Sequence, residues 1–285
     1  MGYHHNILCV TGMNNILFQI SEALQYSFIH RALLAGSFIA LCCSFLGVFL
    51  VLRRFSLIGD GLAHISFATI ALGLVLKISP LYISLPLVML ASLWILKLTE
   101  KSLVSGDAAI GLLSALGVAT GVILASVAGG FNVDLFSYLF GNILAISKQE
   151  VALTIALSGA VIAAVLFFYH DLFAVSFDEE YAKVSGVKTG RINRILLILT
   201  ALTVVLGIKV VGTMLVSSLI IFPAVSALQI AKNFKAAILL ASIFSVVSVI
   251  AGTFASYILN IPTGATIVQV NFILFVVVFF LRKIL

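Results

Sequence analysis

Asp60 and His64 lie four residues apart in a stretch of this chain that is otherwise apolar. At this spacing two side chains lie on one face of an α-helix, one turn apart. A carboxylate at membrane depth is costly, so it is found where it faces a bundle interior, a cavity or an ion. Small residues that let another helix backbone approach flank the pair: Gly59, Gly61, Ala63, Ser66 and Ala68. The sequence therefore predicts that this helix lines a cation path at a helix interface.

The composition of the chain indicates that most of it lies in a lipid bilayer. Of the 285 residues, 62% are hydrophobic and 9% are charged, against about 25% charged residues in soluble domains. We expect an all-α polytopic membrane protein, in which spans of roughly 20 residues use nearly the whole chain. The net charge of +6 does not indicate a nucleic-acid partner here, because it is spread over the loops between spans.

Hydrophobic runs bounded by charge, proline or glycine predict about nine transmembrane helices. Eight is the alternative, because the two spans that meet at Lys209 have almost no loop between them. The predicted spans are residues 27–52, 56–76, 80–98, 108–128, 150–170, 192–209, 210–231, 235–259 and 264–284. Residues 1–26 are predicted to form an N-terminal extension with an amphipathic interfacial helix, and residues 27–285 a single transmembrane domain.

The loop charges predict an outside N-terminus and an inside C-terminus. With this orientation, twelve of the sixteen Lys and Arg residues lie on the inner side, as the positive-inside rule requires. Asp60 and His64 follow the inner residue Arg53 by seven and eleven positions. A continuous helical rise would place them roughly 10 to 16 Å beyond Arg53, near the middle of the membrane. Transporters commonly bind their substrates at that depth.

A short cytoplasmic helix is predicted at about residues 177–186. Ser176 and Glu179 have the spacing of a capping box, and Gly186 can end the helix in a left-handed turn. Phe177 and Tyr181 are expected to be exposed on one face of this helix. An ordinary surface helix would explain the pattern, but exposed aromatic side chains also favour a docking surface for a partner.

No nucleotide-binding loop of the form Gly-x-x-x-x-Gly-Lys-[Ser/Thr] occurs, and no motif of an intramembrane hydrolase is present. The chain is therefore not expected to be an enzyme. If it drives transport, the energy must come from an ion gradient or from another subunit. Gly212 and Pro223 are candidates for a gate, because either residue can interrupt a span, although many kinks have no gating role.

Four stretches together resemble the permease subunit of metal-ion ABC transporters, which import zinc, manganese or iron. They are Gly59 to His64, Phe177 to Ala182, Val211 to Ala224 and Pro262 to Val268. They occur in the order found in that family and extend over most of the chain.

The resemblance implies a type II importer in a prokaryotic inner membrane. Its expected assembly is a homodimer of permeases with cytoplasmic ATP-binding cassette ATPase subunits and an extracytoplasmic metal-binding protein. Asp60 and His64 would contact the transported divalent ion, zinc or manganese before iron, at the homodimer interface. The segment that couples to the ATPase would contain Phe177, Asp178, Glu179, Glu180, Tyr181 and Gly186.

Two other functions fit part of the pattern. A secondary carrier could use Asp60 and His64 to exchange protons with a cation, without an ATPase. An importer of a larger metal chelate, such as haem or a siderophore, would need a wider pore than the small residues around the pair suggest.

Overall fold

The computed structural model describes residue 19 and residues 21–100, 105–127 and 146–283. Eleven α-helices lie within these ranges. They are α1 (Ser27–Leu52), α2 (Ile58–Val75), α3 (Pro80–Glu100), α4 (Gly106–Val127), α5 (Lys148–Phe167), α6 (Tyr169–Phe177), α7 (Glu179–Val184), α8 (Thr189–Val211), α9 (Thr213–Ile230), α10 (Phe234–Leu259) and α11 (Thr263–Arg282). Most of the predicted N-terminal extension lies outside the described residues.

The all-α, multi-pass architecture predicted from hydropathy is confirmed. Among the described residues, eight helices are long and apolar enough to cross a membrane: α1 to α5, α8, α10 and α11. The ninth predicted span corresponds to α9, in which Leu215–Ile230 forms a shorter apolar helix. The described part of the chain therefore has nine spans if α9 is counted and eight if it is not, which are the two numbers predicted.

The spanning helices form an inner and an outer layer. In α1, α2 and α8, 67% of the most apolar window is buried inside the chain, whereas in α3, α5 and α11 the value is 28%. The buried face of α1 contributes Leu46, Phe49 and Leu50 to the core. The outer helices leave much of their apolar surface for lipid or for a partner.

Glycines allow neighbouring helices to approach α2 closely. A Cβ added at Gly59 would lie 2.8 Å from Ile220 in α9, and one at Gly61 would lie 2.6 Å from Ile110 in α4. A Cβ at Gly117 of α4 would lie 2.8 Å from the backbone of His64. The close approach expected from the small residues of α2 is confirmed, and the approaching helices are α4 and α9 of the same chain.

The chain reverses direction at Gly212, between α8 and α9. Gly212 has φ 86 and ψ 165, a backbone conformation that a residue with a Cβ rarely adopts. A Cβ at Gly207 would lie 2.6 Å from Val216, whereas residues nine apart in one continuous helix are about 13 Å apart. Further along α9, Ile220 contacts Gly47 of α1. This tight reversal explains why the sequence shows almost no loop between the two spans.

Contacts at the two ends of the bundle agree with the predicted sidedness of the loops. Arg53, after α1, forms an ion pair with Glu179 at 2.7 Å and a hydrogen bond with Asn193 near the start of α8. At the other end, Arg31 donates to the carbonyl of Ile146, before α5, at 2.8 Å. Loops predicted to share a side therefore meet, while the orientation of the N-terminus outside and the C-terminus inside stays a prediction.

Replacing Gly47 with Ala is expected to destabilise the fold, because the added methyl group would overlap the main-chain carbonyl of Ile220. Overpacking of this kind costs about 1–3 kcal/mol. We expect a lower thermal unfolding midpoint for the purified protein in detergent. Gly159→Ala in α5 is the matched control, since nothing lies within 4 Å of the added Cβ. Equal midpoints for the two variants would contradict the backbone contact between α1 and α9.

Candidate functional site

Asp60 and His64 share one face of α2, as their spacing predicts. Asp60 lies in the first turn of the helix, and His64 Nε2 lies 3.5 Å from Asp60 Oδ2. The carboxylate and the imidazole therefore form an ion pair when the histidine is protonated, and a pair of neighbouring ligands when it is neutral.

The continuous helical rise from Arg53, on which the predicted mid-membrane depth of this pair rested, does not occur, and the depth itself stays a prediction. The chain instead turns between α1 and α2, with Arg54 at φ 59, and α2 begins only at Ile58. At 1.5 Å per residue, Asp60 lies about 3 Å and His64 about 9 Å along α2. The pair is therefore closer to the end of the bundle that carries Arg53.

Ser217 joins the pair from α9 and was not predicted as a site residue. Its hydroxyl donates to Asp60 Oδ1 at 3.4 Å. The contact follows from the glycine packing, since Gly59 lies against α9 at Ser217 and Ile220. A serine within an apolar run has no distinguishing pattern, and 157 residues separate it from Asp60. Only the fold brings them together.

The chain leaves this group open on one side. The Asp60 side chain is 51% exposed and that of His64 is 37% exposed, although α2 is otherwise mostly buried. No cluster of three or more His, Cys, Asp or Glu residues that could hold a metal ion is found among the described residues. One copy thus offers one carboxylate, one imidazole and one hydroxyl, which is an incomplete ligand set for a divalent metal.

The predicted cytoplasmic helix exists, but it begins later than expected. The structure has α6 extending to Phe177 and a separate six-residue helix, α7, from Glu179 to Val184. Asp178 is extended, with φ −150, and its carboxylate accepts the backbone N–H of Tyr181 at 2.9 Å. Asp178 rather than Ser176 is therefore the N-cap. The predicted glycine ending is confirmed, since Gly186 has φ 89.

Because the helix is divided at Asp178, Phe177 and Tyr181 do not lie on one face of one helix as predicted. Phe177 is 63% exposed, but its ring packs against Phe173 and Phe234 at 4.7 and 5.9 Å between centroids. Tyr181 is 70% exposed, and the neighbouring Val184 is also exposed. These two side chains give α7 an outward apolar surface.

Within α7, Glu179 forms hydrogen bonds with residues of the rest of the bundle. Glu179 accepts from Arg53 and from Asn193, which donates its amide N–H at 2.8 Å. The family resemblance implies that Glu179 is a coupling residue, but the sequence does not show this pairing, because Arg53 lies 126 residues away and Asn193 belongs to a separate helix. Glu180, by contrast, is exposed.

The two candidate gate residues occupy different positions in the chain. Gly212 forms the reversal between α8 and α9, whereas Pro223 lies inside α9 without ending it. A gating role for either residue stays a prediction.

Comparisons with known proteins agree with this architecture. The family model described as the ABC 3 transport family matches residues 25–282. The chain is 31% identical over 268 residues to the manganese transport system membrane protein MntC of Halalkalibacterium halodurans, covering 94% of this chain and 92% of that protein. It is 33% identical over 266 residues to the manganese import system permease protein ScaB of Streptococcus gordonii, covering 92% and 95%.

The fold is also similar to a solved structure, PsaBC from Streptococcus pneumoniae in complex with Fab. The TM-score is 0.83 at 30% identity, and the alignment covers 93% of this chain and 95% of that chain. With its apolar spans and bacterial relatives, the chain is a multi-pass protein of a prokaryotic inner membrane. Since the family model matches almost the whole chain, this protein belongs to the ABC 3 transport family.

Proposed function

We propose that this chain is the permease subunit of an ATP-driven importer for a divalent metal ion, with manganese as the first candidate cargo. The observation that carries the proposal is the half-exposed pair of Asp60 and His64 inside an apolar bundle. A charged pair at this place is costly in contact with lipid, so its open side requires a cavity, an ion or another protein surface.

A second copy of the chain would shield the open side of Asp60 and His64 and would also complete the ligand set. Across a two-fold axis beside α2, identical surfaces would face each other, as in any isologous dimer. The dimer would bring together two Asp60 carboxylates, two His64 imidazoles and two Ser217 hydroxyls. Four to six ligands from nitrogen and oxygen suit zinc or manganese, whereas one copy provides too few.

The donor set favours a hard or borderline cation. Carboxylate and hydroxyl oxygens suit manganese, while thiolates would favour zinc or copper(I). The two described cysteines, Cys42 and Cys43, are buried in α1, and Cys42 donates to the carbonyl of Ser158. The names of the relatives from Halalkalibacterium halodurans and Streptococcus gordonii also specify manganese. Zinc and iron are the alternative cargoes.

The energy for transport would come from separate cytoplasmic ATPase subunits, since this sequence has no nucleotide-binding loop. The outward surface of α7, formed by Tyr181 and Val184, is suited to dock such a subunit, because exposed aromatic side chains act as interface anchors. An extracytoplasmic metal-binding protein would deliver the ion at the opposite end. Metal uptake by the chain alone, without an ATPase, would instead favour the secondary carrier.

Asp60→Asn and His64→Ala are each expected to reduce metal uptake by at least about 100-fold in the reconstituted complex, because each removes a ligand from both halves of the site. Ser217→Ala should cause a smaller loss of about 10-fold, since it removes a neutral hydroxyl and its hydrogen bond to Asp60 but leaves the carboxylate and the imidazole in place. Uptake of radioactive manganese measures the effect.

The matched control for these variants is Asp107→Asn, the same chemical change at an exposed acid in the first turn of α4. It should transport normally. Full transport by either the Asp60 or the His64 variant, with normal assembly, would exclude the proposed metal path.

Tyr181→Ala is expected to weaken association with the ATPase about 10-fold or more while the permease stays folded, because an exposed anchor contributes to binding rather than to the core. Copurification of the ATPase with the permease, titrated with ATPase, measures this. Ser185→Ala, at an exposed neighbour in the same turn, is the control. An unchanged affinity for the Tyr181 variant would show that the outward surface of α7 is not the docking site.

A further inference from the structure

Arg53, Glu179 and Asn193 form a closed triangle of hydrogen bonds, which we call the Arg53 triad. Arg53 Nη2 donates to Glu179 Oε2 at 2.7 Å, and Asn193 Nδ2 donates to Glu179 Oε1 at 2.8 Å. Arg53 Nη1 donates to Asn193 Oδ1 and closes the ring. Each carboxylate oxygen of Glu179 thus has its own donor. The triad joins the end of α1, the start of α7 and the start of α8.

Burial makes this ion pair different from an ordinary surface pair. Exposed pairs contribute little, but the Arg53 side chain is only 9% exposed, and Asn193 is 4% exposed. Burial lowers the pKa of the Arg53 guanidinium, and the Glu179 carboxylate opposes that shift. Since arginine stays charged, moving Glu179 away would leave a buried cation without its counter-charge. The structure therefore favours joint movement of α7 and Arg53.

Arg53 is in turn tied closely to the metal site. It is the C-cap of α1, and Asp60 follows seven residues later. The intervening turn is held by backbone hydrogen bonds from Phe55 to Leu50 at 2.9 Å and from Ile58 to Phe55 at 3.1 Å. A displacement of Arg53 is consequently passed to the first turn of α2 instead of being absorbed by a loose loop.

An aromatic cluster attaches the segment directly before α7 to the same inner helix. Phe177, directly before the cap residue Asp178, packs against Phe234 at the start of α10. The Phe234 ring also contacts Phe49 of α1, at 5.2 Å between centroids. Polar and aromatic contacts therefore attach the α7 segment to the inner end of α1 at two separate points.

We propose that the Arg53 triad is the link that passes movement of α7 to the metal site, with Arg53 and Glu179 acting as positioning residues for transport. This inference rests on the proposed function, because it takes α7 as the segment that the ATPase moves. Glu179 thereby acts within the permease, and Tyr181 and Val184 form the surface toward the ATPase.

The test is the number of metal ions transported per ATP hydrolysed by the complete complex of permease, ATPase and metal-binding protein. Glu179→Gln keeps the size of the side chain but removes its charge and one acceptor. We expect ATPase copurification within twofold of the unchanged protein and a transport-to-hydrolysis ratio at least 10-fold lower. Arg53→Gln should give the same result. Glu100→Gln, the same change at an exposed glutamate at the end of α3, should leave the ratio unchanged.

A double variant separates the link from a general loss of stability. Residues that act as one unit show non-additive effects. The Arg53→Gln/Glu179→Gln protein should therefore be no more uncoupled than either single variant, whereas independent structural defects would multiply. If Arg53→Gln fails to assemble, Glu179→Gln alone decides the question, because its partly exposed side chain tolerates an amide of equal size.

Four results would overturn the inference: an unchanged ratio in Glu179→Gln, an equal loss in Glu100→Gln, a loss in the double variant that multiplies the two single losses, or loss of ATPase association in Glu179→Gln, which would assign Glu179 to docking. Failure of the proposed function itself is distinguishable, because then the unchanged protein would neither bind the ATPase nor transport the metal.

Discussion

A carboxylate and an imidazole that one chain only half covers are the constraint on which the rest of this structure depends. Asp60 and His64 lie at the start of α2, between α4 and α9, and the glycines of α2 and α4 let these helices pack closely together. The packing fixes the two side chains and adds the Ser217 hydroxyl, but it leaves one side open. A polar group in that position must face something other than lipid, and the rest of the same chain does not fill this side. In the proposed dimer, a symmetric partner would shield this side and supply the missing ligands.

The same arrangement gives the site a mechanical connection to one end of the bundle. Asp60 follows a short, hydrogen-bonded turn after Arg53, and the triad connects Arg53 to the helix proposed to meet the ATPase. Only a few residues of chain separate this end of the bundle from a site in the first turn of α2, so a movement there can reach the site. At the middle of a long helix it would depend on movement of the whole helix.

Local patterns in the sequence were sufficient for the spans, for the shared face of Asp60 and His64, and for the glycine that ends α7. Hydropathy and helical periodicity depend on neighbouring residues, so they can be seen without the fold. Four features could not be predicted in this way. Ser217 and the Arg53 triad depend on contacts over more than a hundred residues. The position of Asp60 in the first turn of α2 depended on a turn at Arg54, where a non-glycine residue adopts a left-handed conformation. The start of α7 depended on Asp178, whose capping bond competes with the one predicted for Ser176.

The central claim is that two copies of the chain share one metal ion between their Asp60 and His64 side chains. Manganese-loaded permease, prepared with ¹⁵N-labelled histidine, allows the bound metal to be counted and its nitrogen ligands to be identified by pulsed electron paramagnetic resonance. The account predicts one manganese ion per two chains, with couplings to two histidine nitrogens that disappear in His64→Ala. One manganese ion per chain with a single histidine ligand, or bound manganese with no histidine coupling, would contradict it.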